Sequence, residues 1–555
     1  MAQRHGGQIL ARHLQLQGVE RVFSVPGESF LAALDGLYDA GIQNVVCRHE
    51  GGAAMMAEAS AKLTGKPGVL FVTRGPGATN ASSGLHVAKQ DSTPLVAFVG
   101  QIARGHRDRE AFQEVDYRAF FGPLVKWSAE VEDTDRLPEY IDRAFRIAQS
   151  GRPGPVVLAL PEDMLSGMAD VPDRIPTPLP EAPDLSAFAG DVMVRLAQAE
   201  RPLVVVGGSQ WSAAAQGDLE AFAEATGLPI AVTFRRQDYM DNRHSHYVGD
   251  LGVGMNPKLG AALGAADLVL LLGTRLGETA TNGYTLLEPA VPGVEIVHVH
   301  PDAAELGRVW PAARSAAAPA PAALAALRAA ATDCRCTDWR TGLRAQYEAW
   351  QTPTESPGDV RMEAVVAHVR DTMPEGTILT NGAGNYAAWL HRYMRYPSYP
   401  SQLAPTSGSM GYGFPAAVAA SIAHPDRTVI CFAGDGCFQM TLNELSTARQ
   451  HGATPVVIVA NNGRYGTIRM HQEKTYPGRV SGTNLENPDY AALARAYGGH
   501  GETVSRQDAF PDAFARALAS GLPAIIELQL DTEALTTSMT LSAVRKAGEA
   551  ALAEP

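Results

Sequence analysis

Short apolar runs, each ending in a polar turn rich in glycine, alternate along this chain with segments patterned for helices. The most informative pair lies late. Residues 427–433 read as a buried strand and end in Gly434-Asp435-Gly436, and residues 455–460 read as a second strand ending in Asn461-Asn462-Gly463. Between them a helical pattern offers Met440, Leu442, Leu445 and Ala448 for packing. Strand, turn, helix, strand, turn puts both polar turns at strand carboxyl ends, where open parallel sheets bind ligands.

The same alternation recurs upstream. Residues 22–25 close in Pro26-Gly27-Glu28, and 45–48 deliver His49-Glu50 ahead of a helix of small residues. Residues 68–73 lead into Gly75–Asn80, and 94–99 end in Gly100-Gln101. Runs at 202–209, 268–275 and 295–300 build a middle region without GxGxxG or a Walker sequence. Residues 377–380 run into Asn381-Gly382-Ala383-Gly384-Asn385, and 524–528 read as a closing strand. Alternating strands and helices imply parallel sheets covered on both faces. At 555 residues the chain is too long for one core. The expected fold class is therefore α/β, with three doubly wound domains at 1–170, 185–335 and 355–535, a proline-rich linker at 175–184 and a tail at 536–555.

Composition narrows the partners. A net charge of −13 argues against nucleic acid or an anionic membrane surface. The first residues lack the apolar core of a signal peptide, no span is long enough for a membrane, and five cysteines without zinc-knuckle spacing point to free thiols. A cytoplasmic protein is expected.

Two turns carry matched chemistry. Asp435 supplies a carboxylate and Asn462, 27 residues later, an amide oxygen. With a main-chain carbonyl from Arg464, these hard oxygen donors suit Mg²⁺. Glycines after a strand at 382–384 suit phosphate. Glu50, at a strand end beside small residues, suits proton exchange with a heterocyclic nitrogen. His244 and His246 lack an evident third ligand and read as a surface loop.

Asp435-Gly436 through Asn461-Asn462 resembles the metal-diphosphate motif of thiamine diphosphate enzymes, and Arg48-His49-Glu50 with its small-residue helix is similar to their pyrimidine-binding domain. The resemblance implies thiamine diphosphate and Mg²⁺ as cofactors, with Glu50 hydrogen-bonded to the aminopyrimidine. It also implies Met410 beneath the thiazolium and Gly408 beside the pyrimidine. Further cofactor contacts it implies are Asn80, Ala383, Gly384, Asn385, Tyr386, Gly434, Gly436, Cys437, Tyr465 and Gly466. The segments 65–68, Gly75–Asn80, Gly100-Gln101, Phe112-Gln113-Glu114 and Val125-Lys126-Trp127 look like the acetolactate synthase branch, which implies Phe112, Gln113 and Lys126 near the substrate. Glu28 stands where the pyruvate decarboxylase branch has a catalytic aspartate, but the adjacent histidines of that branch are missing from 110–116. His471 takes the place of a channel tryptophan. In the synthases the central domain holds FAD. Gly273–Arg275 and His300–Asp302 sit where some flavin contacts fall, whereas 276–282 departs from the pattern, so FAD lacks a clear motif here.

The activity implied is a transferase that decarboxylates a 2-oxo acid such as pyruvate and adds the fragment to a second carbonyl. The alternatives are a non-oxidative 2-oxo acid decarboxylase or C–C lyase, and a flavin-linked oxidase. The resemblance further implies a homodimer or homotetramer with active sites at subunit interfaces. The tail at 541–545 is expected to cover the site.

Overall fold

The computed structural model describes residues 3–553. Three six-stranded parallel sheets dominate it; their inner strands are apolar runs buried along nearly their whole length, whereas the edge strands Gln43–Val46, Trp127–Glu130, Arg314–Ala317 and His500–Val504 are partly exposed. The N-terminal sheet has the order Gln43–Val46, Arg21–Ser24, Gly68–Val72, Leu95–Gln101, Pro155–Pro161, Trp127–Glu130. The central sheet runs Tyr247–Leu251, Ile230–Thr233, Pro202–Val206, Leu268–Leu272, Glu295–His300, Arg314–Ala317. The C-terminal sheet runs Gln402–Leu403, Ile378–Asn381, Val429–Gly434, Val456–Asn461, Ala524–Gln529, His500–Val504. In each, the strand that comes first in sequence lies inside the sheet, with the chain winding one way and then the other. Each sheet therefore has a crevice where its connections diverge, at the strand carboxyl ends.

The chain packs as two compact units. One comprises 1–181 with 418–424 and 441–453; the other comprises 182–417, 425–440 and 454–555 and so carries both the central and C-terminal sheets. In the first unit the helices Gly6–Leu16 and Leu31–Asp39 touch backbone to backbone. A Cβ on Gly7 would fall 1.7 Å from the Ala32 carbonyl oxygen, and one on Gly36 would fall 2.2 Å from that of Gly7.

Two expectations need correction. The helix after Asp435 is not continuous: it breaks into Asp435–Gln439, a 3₁₀ turn Leu442–Glu444 and Leu445–Gln450. Thr441, at φ −140°, interrupts it. Leu445 and Ala448 are buried as expected, but the break leaves Met440 half exposed. His246 is buried rather than on a surface loop, and burial lowers its pKa to about 4. No helix among the described residues is long and apolar enough to cross a membrane.

Candidate functional site

The crevice of the C-terminal sheet opens between Ile378–Asn381 and Val429–Gly434, and a cavity of about 230 Å³ lies there. Register brings its parts together. Gly434 pairs with Ala460, so the turn carrying Asp435 and the turn carrying Asn462 leave the sheet side by side. All the residues assigned to cofactor or metal in this domain line the cavity: 383–386, Gly408, Met410, 434–437, Asn462 and 464–466.

Asp435 is buried. Its Oδ1 accepts the Gly436 N–H at 2.8 Å, and its Oδ2 accepts from Asn487 Nδ2 at 2.8 Å. Desolvation raises its pKa, against the N–H groups of Gly436, Gly463 and Arg464 and the Asn487 amide, which favour the charged form. Asn487 also donates to Asn461 Oδ1, tying the two turns together, and Tyr490 Oη donates to the Asp435 carbonyl. One carboxylate, one amide oxygen and a main-chain carbonyl on one cavity fit a hard divalent cation completed by water and phosphate.

The opposite wall is the loop after Asn381. Gly384, at φ +150°, adopts a conformation that L side chains rarely take, and a Cβ there would meet the Tyr386 ring at 2.9 Å. Tyr386 accepts the Gly382 N–H at 3.0 Å. Asn385 donates to the Leu535 carbonyl and accepts from Thr467 Oγ1. A Cβ on Gly436 would come within 2.5 Å of the Tyr465 ring. The glycines thus keep backbone at the cavity wall with room for a phosphate-sized group.

Sequence reasoning missed several contributors. Asn487 and Tyr490 act on Asp435 from more than 50 residues away, beyond any local motif. Trp389 and Ile468 line the cavity. The segment after the closing strand, rather than 541–545, contributes Leu530, Ala534 and Leu535. That later stretch begins the helix Leu541–Ala553, which packs on Gly466–Thr475, with Arg545 forking onto buried Glu473 at 2.7 and 2.8 Å.

The first unit carries Glu50 in the opening turn of the helix Glu50–Thr64, which is capped by His49 Nδ1 accepting the Gly51 N–H. Its Oε2 accepts from Asn80 Nδ2 at 3.0 Å, and a Cβ on Gly77 would lie 3.2 Å from its Oε1. The preceding strand end is held by buried Glu444, which accepts the N–H groups of Arg48 and His49. Gln113, at φ +65°, lies against Gly75: a Cβ there would be 2.7 Å from that of Gln113. Phe112 is 72% exposed, so it is not a core residue. Its carbonyl accepts from Arg74, whose guanidinium also bridges Glu28 and Glu162 at 2.9 and 3.0 Å. Glu28, Glu162 and Asp163 share a cavity of about 320 Å³. Lys126 is elsewhere: its Nζ donates to the Ile147 and Ser150 carbonyls at the end of the helix Leu137–Gln149. The acetolactate synthase resemblance put it near substrate, whereas here it caps a helix.

The first turns of the central sheet pack tightly. Gly208 and Gly273 touch, since a Cβ on Gly208 would sit 2.0 Å from the Gly273 oxygen. Trp211 Nε1 donates to the Gly207 carbonyl and Tyr239 Oη to that of Gly208, and the two rings stack at 4.9 Å. Trp310 Nε1 holds the Leu276 carbonyl, and Asp302 caps Ala304.

Comparison with known proteins agrees with this geometry. Residues 4–120 match the N-terminal TPP binding domain of thiamine pyrophosphate enzymes, 190–327 their central domain and 382–528 their C-terminal TPP binding domain. The acetolactate synthase isozyme 2 large subunit of Escherichia coli (strain K12) is 32% identical over 531 residues, covering 95% of this chain and 96% of that protein. The acetolactate synthase large subunit of Parasynechococcus marenigrum is 32% identical, covering 95% and 87%, and the acetolactate synthase of Mycobacterium bovis is 32% identical, covering 96% and 89%.

Proposed function

Because the chain belongs to the thiamine pyrophosphate enzymes, we propose that it is a Mg²⁺-dependent, non-oxidative carboligase, decarboxylating a 2-oxo acid such as pyruvate and joining the fragment to a second carbonyl. The observation that carries this is the cavity where Asp435, Asn462 and the Arg464 carbonyl meet the loops of Gly384 and Met410. Bound thiamine diphosphate supplies an electron sink for the pair released when CO₂ leaves.

The residues divide the remaining work. Asp435, Asn462 and the Arg464 carbonyl hold Mg²⁺, and the loop 383–386 faces the diphosphate. Met410, on the same cavity, would pack against the cofactor's thiazolium ring. Glu50, oriented by Asn80, would hold and move a proton at the pyrimidine nitrogen of the bound cofactor. Gln113 and Phe112 face the substrate, and Glu28, oriented by Arg74, is a second proton-exchange group. In the homodimer or homotetramer we propose, Glu50 of one copy serves the cavity of another. The departure of residues 276–282 from the synthase pattern favours catalysis without flavin. Net negative charge and the biosynthetic names of the relatives favour the cytoplasm over nucleic acid or membrane.

The test is incubation with thiamine diphosphate, Mg²⁺ and pyruvate, following CO₂ and acetolactate together. Equal amounts of both support the carboligase. CO₂ with free acetaldehyde replaces it with a decarboxylase, and no CO₂ rules out pyruvate as donor.

A further inference from the structure

Arg464 does more than lend a main-chain carbonyl to the cavity. Its Nε is fully buried without a hydrogen-bond partner, and among the described residues its guanidinium makes neither a hydrogen bond nor an ion pair. The residue lines the cavity beside Asn462 and Tyr465. An arginine with five donors and no acceptor is costly in such a place unless something anionic arrives.

The protein's own anions nearby are committed elsewhere. Asp435 is bound by Gly436 and Asn487. Asp531 caps the N–H of Glu533, and Glu533 accepts the N–H of Ser542. The neighbouring cation Arg469 is itself paired with Glu473. Arg464 thus has Glu533, Asp435 and Asp531 as acidic neighbours but no hydrogen bond or ion pair to any of them among the described residues.

We propose that the Arg464 guanidinium is an oxyanion-binding group of this cavity, whose ligand is either a phosphate oxygen of the cofactor's diphosphate or the carboxylate of the 2-oxo acid. A planar fork of N–H donors suits both. The inference rests on the cofactor site proposed above and adds a specific anion contact to it. One residue then serves both charges of the ligand: its carbonyl oxygen faces the metal and its side chain faces the anion.

The experiment uses full-length Arg464→Gln and Arg464→Lys, in which the main-chain carbonyl is retained, with thermal melting to check folding. Binding of magnesium pyrophosphate and of thiamine diphosphate with Mg²⁺ is measured by calorimetry, and KM is measured for pyruvate. Arg464→Gln should weaken one anion by roughly tenfold or more, with Arg464→Lys recovering part of the loss. If the diphosphate is the ligand, pyrophosphate and cofactor weaken together and KM is unchanged. If the carboxylate is the ligand, KM rises while pyrophosphate binds as in wild type. A folded Arg464→Gln variant unaltered in all three overturns the proposal. Wild-type protein that binds magnesium pyrophosphate but not thiamine diphosphate sinks the cofactor reading instead, and the pyrophosphate comparison still decides Arg464.

Discussion

The carboxylate of Glu444 accepts the main-chain N–H of His49 at 3.0 Å, one residue before Glu50. It also takes the N–H of Arg48 and the hydroxyl of Thr447, and Gly52 makes room for it. Glu444→Ala leaves two part-buried main-chain donors without their protein acceptor, a net loss of about 1 kcal/mol each. Thermal melting should show clear destabilisation, and Glu444→Gln, which keeps one acceptor oxygen, should fall between. Melting of Glu444→Ala at the wild-type temperature would contradict this role.

Glu50→Gln keeps the size of the side chain and its bond from Asn80 can be replaced by an amide pair. Folding should persist while turnover falls by about 100-fold or more. Asn80→Ala should reduce turnover less, since it removes only the orienting bond. Steady-state rates beside melting curves separate the two effects. Full activity in Glu50→Gln would remove the residue from the mechanism.

Metal dependence should centre on Asp435. Asp435→Asn should lose Mg²⁺-dependent binding of thiamine diphosphate, and chelation of wild type should do the same reversibly. Trp389 lines the cavity and provides a fluorescence signal for both titrations. Cofactor binding that ignores both chelator and substitution would relocate the metal site.

Gly436→Ala tests the cavity wall. The added methyl meets the Tyr465 ring at 2.5 Å and must displace it, at about 1–3 kcal/mol of overpacking. Weaker cofactor binding with the secondary structure unchanged in circular dichroism is the expected result.

Acid should loosen the C-terminal helix. Glu473 has its pKa lowered to about 2, first by the Arg545 fork and then by the Gly478 N–H and Arg469, against desolvation. A depressed carboxylate stabilises the fold above its unfolded value near 4.5 and loses that contribution as pH falls toward 2. The shift corresponds to on the order of 3 kcal/mol. Stability followed by urea melts from pH 5 to pH 3 should fall more steeply in wild type than in Glu473→Gln.

Local pattern carried the strands, their polar turns and the layered α/β class, because buried parallel strands are continuous apolar runs. It also carried Asp435 and Asn462, since strand ends in such sheets are where ligands sit. What it could not carry depends on chain segments far apart. Asn487 reaches Asp435 only once a separate loop folds across, and Glu444 looks like an ordinary helical glutamate until the 45–50 strand end is laid over it. The hydrogen bonds of Lys126 to a helix end were likewise beyond local pattern, since they join it to carbonyls more than 20 residues on.

The bare backbone contact between Gly7 and Gly36 shapes how this protein tolerates change. Any side chain at either position forces apart the two helices, and the second of them directly follows the turn that carries Glu28. A saturation-mutagenesis map scored by activity would therefore mark Gly7 and Gly36 as intolerant although neither has a group able to do chemistry. Scoring the same library for abundance would separate such spacing residues from Glu50, whose loss should leave the protein plentiful and idle.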